Sequence, residues 1–442
     1  MDIQLSDHFD AKRLARFVLP SVVMMIFTSI YSVVDGLFVA NFVDTTAFAA
    51  INFIMPLLMI CGAIGFMLGA GGSALAAKTL GEGKGQKANE IFSMLVYVGI
   101  GLGVVLAVSG CLLVEPVAAL MGAEGDLLDQ CVVYARIVLC ALPCFMLQNM
   151  FQSFLVTAGR PKLGLKVTVW AGLLNVGLDA LLIVVLEWGI TGAAVATAMS
   201  QTFGGLLPLL FFARANDSSL RLGRTHMDWK SLGRTCGNGS SEFVTNISMS
   251  VVGVLYNVQL LQYAKQDGVS AYGVIMYVSF FFVAIFLGYS IGVSPIIGYH
   301  YGAENSGELK NVFAMSMKFV TIAGIVLTVL ACALAKPVAF VFVRDNAALY
   351  EMTVHAFRIN AFSFLFCGFG IFGSALFTAL NNGVVSAVIS FLRMFLFQAV
   401  TVLVMPIFWG IEGIWYAVVV AEGLSAIVSL ALIGKYKKQY KI

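Results

Sequence analysis

Apolar residues run through this chain in long stretches that are separated by short polar turns from one end to the other. A helix needs about 20 apolar residues to cross a hydrocarbon layer of about 30 Å. The stretches reach that length repeatedly, and they leave no room for a soluble domain between them. They therefore predict twelve membrane-spanning helices. The predicted ranges are 17–42, 48–74, 93–114, 130–156, 163–186, 192–213, 236–264, 270–299, 312–335, 351–380, 384–408 and 414–434.

The composition agrees with a membrane protein. Apolar residues make up 60% of the chain and charged residues 11%, and the mean hydropathy is +0.94, values far outside the range of soluble proteins. The four histidines are scattered, and no nucleophile and base stand at a recognisable spacing. All eight cysteines lie in or beside apolar stretches, as buried thiols do. We therefore expect an all-α integral membrane protein that is not an enzyme and has no cofactor.

The chain also contains an internal repeat at an offset of 221 residues, half its length. The motif WGITG at 188–192 falls on WGIEG at 409–413, and the dipeptide at 157–158 recurs at 378–379. Each copy holds six predicted spans. Because six is an even number, the copies share one orientation and should be related by an axis along the membrane normal. We predict two parallel-related six-helix lobes at 1–213 and 236–442.

Residues 214–235 form the main polar break and predict a linker between the lobes. The linker carries five Lys or Arg residues, which a membrane surface with anionic lipid attracts, so nucleic acid need not be invoked. Most other basic residues fall in connections on the same predicted side, whereas the opposite side has only Lys265, Lys336 and Arg344. The positive-inside rule then predicts a multi-pass plasma-membrane protein with both termini in the cytoplasm.

Two aspartates stand inside predicted spans, where an unpaired carboxylate is costly. Asp35 lies in span 1, and Asp179 follows Asn175 by one helical turn in span 5. Counting from the tight turn near residue 188 at 1.5 Å per residue places Asp179 and Thr197 about 13 Å below that turn, and Asp35 at a similar depth. These oxygen groups suit Na+ or a shared proton. A hydrogen-bonded polar cluster that only holds helices together is the alternative.

Further polar residues in the spans are candidates for a substrate path. Glu242 lies early in span 7, and Glu422 in span 12 takes the place of Gln201 in the repeat. Arg393 in span 11 fits a contact with lipid headgroups and a substrate role equally well. The aspartates themselves have no charged counterpart, because Asp35 and Asp179 fall on Tyr256 and Val400 in the second copy. The coupling chemistry is therefore expected in the first lobe.

At these residues the chain resembles the multidrug and toxic compound extrusion (MATE) transporters, and the resemblance covers essentially its whole length. The DinF-type branch has an aspartate in helix 1, an N-x-x-x-D pair in helix 5 and a threonine in helix 6. These features match Asp35, Asn175 with Asp179, and Thr197. Pro20 matches a helix 1 proline whose bending is linked to transport in that family. NorM-type members instead use acids in helices 7 and 10, and span 10 has none in its interior.

The resemblance implies secondary active efflux of lipophilic, mainly cationic organic compounds, coupled to H+ or Na+. The two lobes would rock to give alternating access, with Asp35, Asn175, Asp179 and Thr197 holding the coupling ion and Pro20 as the hinge of helix 1. The expected partners are small organic molecules and membrane lipids, without nucleic acid, and the expected state is a monomer.

The sequence is also compatible with two other functions. A flippase for lipid-linked oligosaccharides or polysaccharides shares this architecture, but it needs several basic residues at depth to hold a pyrophosphate. The interior charges of the first lobe are acidic instead. A membrane scaffold or receptor would explain twelve spans but gives no reason for aspartates at a common depth.

Overall fold

The chain folds into a bundle of long helices in the computed structural model, which describes residues 3–43, 45–344 and 346–442. All regular structure within these ranges is helical, as the apolar stretches predict. The helices are α1 (Ala11–Phe42), α2 (Thr45–Gly81), α3 (Gly85–Leu120), α4 (Gly125–Cys140), α5 (Leu142–Thr157), α6 (Pro161–Asp179), α7 (Gly189–Ala213), α8 (Trp229–Gly302), α9 (Ser306–Val343), α10 (Ala347–Ala361), α11 (Phe364–Ala379), α12 (Gly383–Phe391), α13 (Gln398–Trp409) and α14 (Ile411–Tyr440). A π-helical segment, Ala180–Val185, continues α6, and a second, Leu392–Phe397, joins α12 to α13.

These helices make twelve membrane crossings in the described part of the chain. Nine continuous helices are long and apolar enough to cross, and two more crossings are bent pairs, α4 with α5 (57°) and α10 with α11 (48°). α8 has 74 residues, about 110 Å at 1.5 Å per residue, more than three times the thickness of the hydrocarbon. Its backbone breaks at Lys265, where φ is 54°, so it supplies two crossings. The predicted fold class is confirmed.

The two halves share the same irregularities. The fourth crossing of each half is bent, at Ala141 in the first and at Phe362 in the second, and the fifth crossing of each half contains a π-helical segment. Pro143 in the first turn of α5 has no backbone N–H, so the chain can turn there without losing a helical hydrogen bond. Bends and π segments that recur at corresponding crossings indicate two copies of one architecture.

Both chain termini lie at one end of the bundle, which we call the terminal end. There Phe9 packs edge-on against His300 with ring centroids 6.4 Å apart, and Tyr301 packs against Tyr440 at 5.6 Å. Lys78 lies over the ring of Tyr301 at 5.3 Å. We call the opposite end the far end.

Glycines hold the lobes closely together in the terminal half. Gly71 on α2 faces Gly239 on α8, and a Cβ on either glycine would collide with the backbone of the other helix. Gly81 packs in the same way against Tyr299. Gly288 on α8 leaves room for the α1 backbone at Ser21, one residue beyond Pro20. Such close backbone approach is typical of helix contacts inside membranes, and it closes the terminal half of the interface between the lobes.

The segment before α1 crosses from the first lobe onto the second. Phe9 is fully buried, and its backbone N–H donates to Glu308 Oε1 at 2.9 Å. Asn311 Nδ2 donates to the Phe9 carbonyl at 2.8 Å, and His8 Nδ1 lies 2.7 Å from Glu308 Oε2. We call residues 3–10 the N-terminal strap, because they tie α1 to the start of α9.

The connection between the lobes is extended and packs along α3. The backbone N–H of Arg221 donates to Asn89, and the Thr225 hydroxyl donates to the Glu90 carbonyl at 2.8 Å. α8 then begins at Trp229 because Asp228 caps it, accepting the Ser231 hydroxyl at 2.6 Å and two backbone N–H groups. These donors, with the Ser231 hydroxyl foremost, hold the pKa of Asp228 below its usual range.

Candidate functional site

The first lobe brings two carboxyl groups together in its interior. α1 carries Asp35 and the last turn of α6 carries Asp179, and the Asp35 side chain lies beside both Asp179 and Asn175. Asp179 is fully buried, Asn175 is buried and Asp35 is half-buried. Three of the residues that the sequence singled out therefore meet, and we call Asp35 with Asp179 the acid pair.

Three of the four carboxylate oxygens of the acid pair have no hydrogen-bond partner among the described residues. Both oxygens of Asp179 and Oδ1 of Asp35 are buried there without a partner. An ionised carboxylate can only accept hydrogen bonds, so two facing carboxylates need a proton or a cation between them. Buried polar groups that the protein leaves unsatisfied are uncommon and call for such an explanation. The arrangement can take up one small positive charge.

The fold around Asp179 is irregular where the acid is held. α6 ends at this residue and the chain continues as the π-helical segment Ala180–Val185, in which Leu186 N–H bonds back five residues to the Leu181 carbonyl. π-helical turns are rare and occur often at functional sites. The wider turn immediately after Asp179 sets the orientation of the end of α6 toward α1, with which both α6 and the π segment pack.

Two tyrosines complete the surroundings of the acid pair, and sequence reasoning missed both. Tyr134 on α4 is buried, lies within hydrogen-bonding reach of the Thr197 hydroxyl and is close to Asp35 and Asp179. It thereby joins Thr197 to the cluster. Tyr31 precedes Asp35 by one turn of α1 and lies near it. The i, i+4 spacing could have revealed Tyr31, but no sequence spacing relates α4 to α1.

Among the described residues, this cluster contains two carboxyl groups, those of Asp35 and Asp179. Within the described chain there is no group of three or more His, Cys, Asp or Glu side chains that could hold a metal ion. Carboxylate, amide and hydroxyl oxygens are hard ligands of the kind that alkali and alkaline-earth ions prefer, not soft thiolates. Asp35, Asn175, Asp179 and Thr197 supply oxygens of this kind, and their binding of Na+ or a proton stays a prediction from the sequence.

The corresponding place in the second lobe is neutral. Tyr256, at the position equivalent to Asp35, donates its hydroxyl to Gln398 Oε1 at 2.8 Å. Its ring stacks on Tyr272, with centroids 5.0 Å apart and planes 4° from parallel. The stacked pair of Tyr256 and Tyr272, in which the Tyr256 hydroxyl is hydrogen-bonded, thus takes the place of the two carboxyl groups of the first lobe.

The second lobe instead holds a buried ion pair. Arg393 Nε donates to Glu422 Oε2 at 2.8 Å, and the two side chains are only 11% and 7% exposed. The lipid-headgroup interpretation of Arg393 is therefore wrong, because its guanidinium points to α14 and not to the bilayer surface. Glu242 is half-buried on α8 and close enough to Arg393 to interact with it electrostatically. We call Arg393, Glu422 and Glu242 the second-lobe charge cluster.

The other sequence candidates are less closely placed. Gln201 is half-buried on α7, and its Oε1 atom has no partner among the described residues. Pro20 lies inside α1 and lines a cavity of about 650 Å³ together with Arg16, Lys162 and Lys166. Pro20 therefore borders this cavity, and the next residue, Ser21, lies in the close contact between α1 and Gly288.

Two repeated six-helix lobes with buried acids between helices are the architecture of a secondary membrane transporter. The MatE family model matches residues 20–181 and again residues 243–404, so each half of the chain contains one match. The chain belongs to the MatE family.

Curated relatives span nearly the same length. The multidrug export protein MepA of Staphylococcus aureus (strain MRSA252) is 23% identical over 423 residues, which cover 96% of this chain and 93% of the relative. The protein of the same name from Staphylococcus saprophyticus is also 23% identical, with the same coverage.

Solved structures agree on the fold. A crystal structure of MATE in complex with MaL6 superposes with a TM-score of 0.93 at 20% identity and covers 98% of both chains. The outward-facing conformation of a multidrug resistance MATE family transporter of the MOP superfamily also gives 0.93, at 21% identity, covering 100% of this chain and 98% of the other.

Proposed function

We propose that this protein exports lipophilic, mainly cationic organic compounds from the cytoplasm across the plasma membrane, coupled to the entry of H+ or Na+. The observation that carries the proposal is the acid pair, three of whose four oxygens are buried without a hydrogen-bond partner among the described residues. Membership of the MatE family and relatives named multidrug export proteins support the efflux of varied compounds.

Alternating access follows from the way the lobes meet. The glycine contacts close the terminal half of the interface, and the excess of basic residues in the connections at that end supports its placement in the cytoplasm. A transported compound would therefore leave from the far end in this conformation. Rocking of the lobes about their interface would open the terminal end and close the far end.

The acid pair provides the coupling in this proposal. A bound proton or Na+ relieves the repulsion between Asp35 and Asp179, and its release leaves both carboxylates without a counter-charge. The two states of the site therefore favour different arrangements of α1 and α6, and an ion gradient biases the equilibrium between them. Because one chain contains both lobes, the pathway is complete in a monomer and needs no cofactor beyond the coupling ion.

A flippase for lipid-linked sugars is the second candidate, and the buried base Arg393 is the feature that favours it. That guanidinium is neutralised by Glu422 at 2.8 Å, which leaves it poorly suited to hold a pyrophosphate. The efflux proposal is tested in sealed vesicles that contain the purified protein, with an imposed H+ or Na+ gradient and tetraphenylphosphonium as the transported cation. We expect uphill movement of the cation under at least one gradient, and no movement under either would contradict the proposal.

A further inference from the structure

The cavity beside Pro20 is lined by four basic side chains. It lies between α1 and α6 at the terminal end and measures about 650 Å³, within the usual range of ligand pockets. α1 contributes Arg16, the residue before α6 is Arg160, and the first two turns of α6 contribute Lys162 and Lys166. The residues that line the cavity in the described structure include no acid. We call it the basic cavity, and its charge favours an anion.

Three of these charges have no acidic partner. Arg16, Lys162 and Lys166 form no ion pair within 4.0 Å in the part of the chain that the structure describes. The two lysines stand four residues apart on α6, a spacing at which like charges destabilise a helix. Arg16 adds a third positive charge from α1. An anion bound between the two helices would relieve this repulsion.

The basic cavity also has an apolar side. Phe17, Leu19 and Leu163 line it, and Leu19 is 58% exposed. Trp170 follows Lys162 by about 12 Å along α6 and is 63% exposed. Exposed apolar and aromatic side chains on a membrane-spanning helix face lipid. A ligand with an anionic head and an apolar chain therefore fits the cavity better than a free inorganic anion, which would use only its basic side.

The second lobe closes the corresponding place. Aligning the starts of α6 and α12 puts Val384 and Val388 in the places of the two lysines. A Cβ on Gly383, the first residue of α12, would collide with the α8 backbone at Gly237, so these two helices pack directly against each other. Both lobes reach the same membrane surface at this end. The positive-inside rule alone therefore does not explain why one lobe gathers its basic residues around a cavity.

We propose that the basic cavity binds the phosphate headgroup of an anionic phospholipid from the leaflet at the terminal end. Arg16, Lys162 and Lys166 would contact the phosphate, and an acyl chain would run past Leu19 toward Trp170. Each Lys or Arg near a membrane surface favours anionic lipid, and basic pockets between helices on the cytoplasmic side suit such headgroups. The site itself does not depend on the proposed function.

A lipid bound in the basic cavity would oppose bending of α1. It would bridge α1 and α6 through Arg16, which precedes Pro20 by one helical turn. A bend at Pro20 changes the position of Arg16 relative to the lysines of α6 and so disrupts the contacts with the phosphate. The lipid should therefore stabilise the conformation described above, in which the terminal end is closed. This consequence rests on the proposed function, because it assumes that the terminal end opens.

The test measures quenching of Trp170 fluorescence by brominated lipids in phosphatidylcholine nanodiscs, without an ion gradient or a transported compound. The other four tryptophans are replaced by Phe. We expect brominated phosphatidylglycerol to quench Trp170 at a mole fraction at least about 20-fold lower than brominated phosphatidylcholine does. The double variant Lys162→Gln with Lys166→Gln should lose most of this preference, because each basic residue contributes about fivefold.

Lys310→Gln with Lys318→Gln is the matched control, because these exposed lysines lie on α9 in the second lobe and their replacement removes the same charge. The control should keep the preference, and each variant is first checked for a monodisperse, thermally stable protein. Equal quenching by the two brominated lipids in the parent would overturn the proposal, and so would an equal loss in the control. If inorganic phosphate at constant ionic strength removes the preference, the cavity binds a free anion and the lipid assignment is wrong.

The effect on α1 is measured by maleimide labelling of Ala77→Cys, a position buried beside Gly298, in a background without the native cysteines. Replacing phosphatidylcholine with phosphatidylglycerol should slow labelling at least about threefold, because a ligand that binds one conformation stabilises it. The Lys162→Gln, Lys166→Gln protein should label at the same rate in both lipids. Labelling of the parent that does not depend on the lipid would contradict the effect on α1. Neither assay measures transport, so gradient-driven export by the wild type would leave the proposed function standing if the lipid site failed.

Discussion

The acid pair is the smallest unit on which the proposed mechanism depends. Repulsion between two buried carboxylates is relieved by one positive charge, so the occupancy of the site follows the ion gradient. Asn has the size of Asp but no charge, and it can donate a hydrogen bond to the remaining acid. The substitution therefore removes the need for an ion while keeping the packing of α1 against α6.

Asp35→Asn and Asp179→Asn should each abolish gradient-driven export of tetraphenylphosphonium while the protein stays folded and inserted. We expect a fall of at least about 100-fold in the uphill rate, because a neutral site gains nothing from ion binding. Counterflow exchange of labelled for unlabelled cation, without a gradient, serves as the control and should persist. Full uphill transport by both variants would show that the coupling ion binds elsewhere.

Thr197 and Tyr134 allow the coupling ion to be identified. A hydroxyl oxygen is a ligand for Na+ but is a poor carrier of an exchangeable proton, so Thr197→Val should reduce transport under an Na+ gradient more than under an H+ gradient. Tyr134→Phe removes the neighbouring hydroxyl and should act in the same direction. Equal losses under both gradients would indicate that these hydroxyls only support the structure.

Residues that carry charge in an apolar stretch can be found from sequence, whereas their partners often cannot. Helical spacing and depth predicted that Asn175 and Asp179 share a face and lie level with Asp35, and the structure places all three together. Tyr134 and the Arg393–Glu422 pair were beyond that reasoning, because contacts between crossings depend on how helices rotate and cross. Hydropathy indicates only that these polar side chains face away from lipid, and it does not identify the residues that they contact.

Individual helices carry the irregularities through which the lobes can move. Hydropathy predicted twelve spans but gave no sign of the bends at Ala141 and Phe362 or of the π-helical segments, which have little effect on the apolar pattern. Proline is the exception, because a proline inside a helix predicts from the sequence where that helix can bend. Pro20 removes one backbone donor and crowds the carbonyl one turn earlier, so α1 can bend there.

Pro20→Ala should stiffen α1 and favour its straight form. We expect turnover to fall about threefold to tenfold, with a smaller change in the apparent affinity for the transported cation, because the substitution restores a helical hydrogen bond without touching either charged site. Initial rates across a range of cation concentrations separate the two effects. Pro116→Ala, inside α3, is the matched control and should leave turnover close to that of the wild type.

The N-terminal strap is the element that ties α1 to the second lobe at the terminal end. Glu308→Ala removes the acceptor of the Phe9 N–H and the partner of His8, so the strap should detach and the terminal end should open more often. A cysteine placed at Ala77, which is buried beside Gly298, would then react faster with a membrane-impermeant maleimide. We expect an increase of roughly tenfold, corresponding to the loss of two hydrogen bonds.

Glu304→Gln is the control for the strap, since Glu304 is exposed and lies four residues before Glu308. It should leave the labelling rate unchanged. Both measurements use a background in which the eight native cysteines are replaced. Identical labelling of the Glu308→Ala protein and its parent would mean that the strap does not stabilise the closed terminal end.

At the scale of the whole molecule, duplication has given two lobes of one architecture with different chemistry. Among the described residues, the first lobe has two acids that make no ion pair, whereas the second holds an ion pair and one further acid, so the ionised interior is negative in sum. A field of that sign in a partly desolvated space favours cations and opposes an anionic headgroup. The sequence shows the repeat and the buried acids. It does not show that Glu422 on α14 neutralises Arg393, because that contact joins two separate crossings.

The sign of the interior charge leads to a prediction that separates drug efflux from flipping of a lipid-linked sugar. Cells that lack their own efflux pumps should accumulate less ethidium when they produce this protein, by at least about twofold. The difference should follow the imposed H+ or Na+ gradient, because only a coupled carrier moves a cation uphill. The Asp35→Asn protein, expressed to the same level, is the control and should behave like the empty cells. The opposite result would be equal ethidium accumulation in all strains, together with restored surface polysaccharide in a flippase-deficient strain. It would mean that Arg393 releases Glu422 to bind an anion and that the interior charge does not select cations.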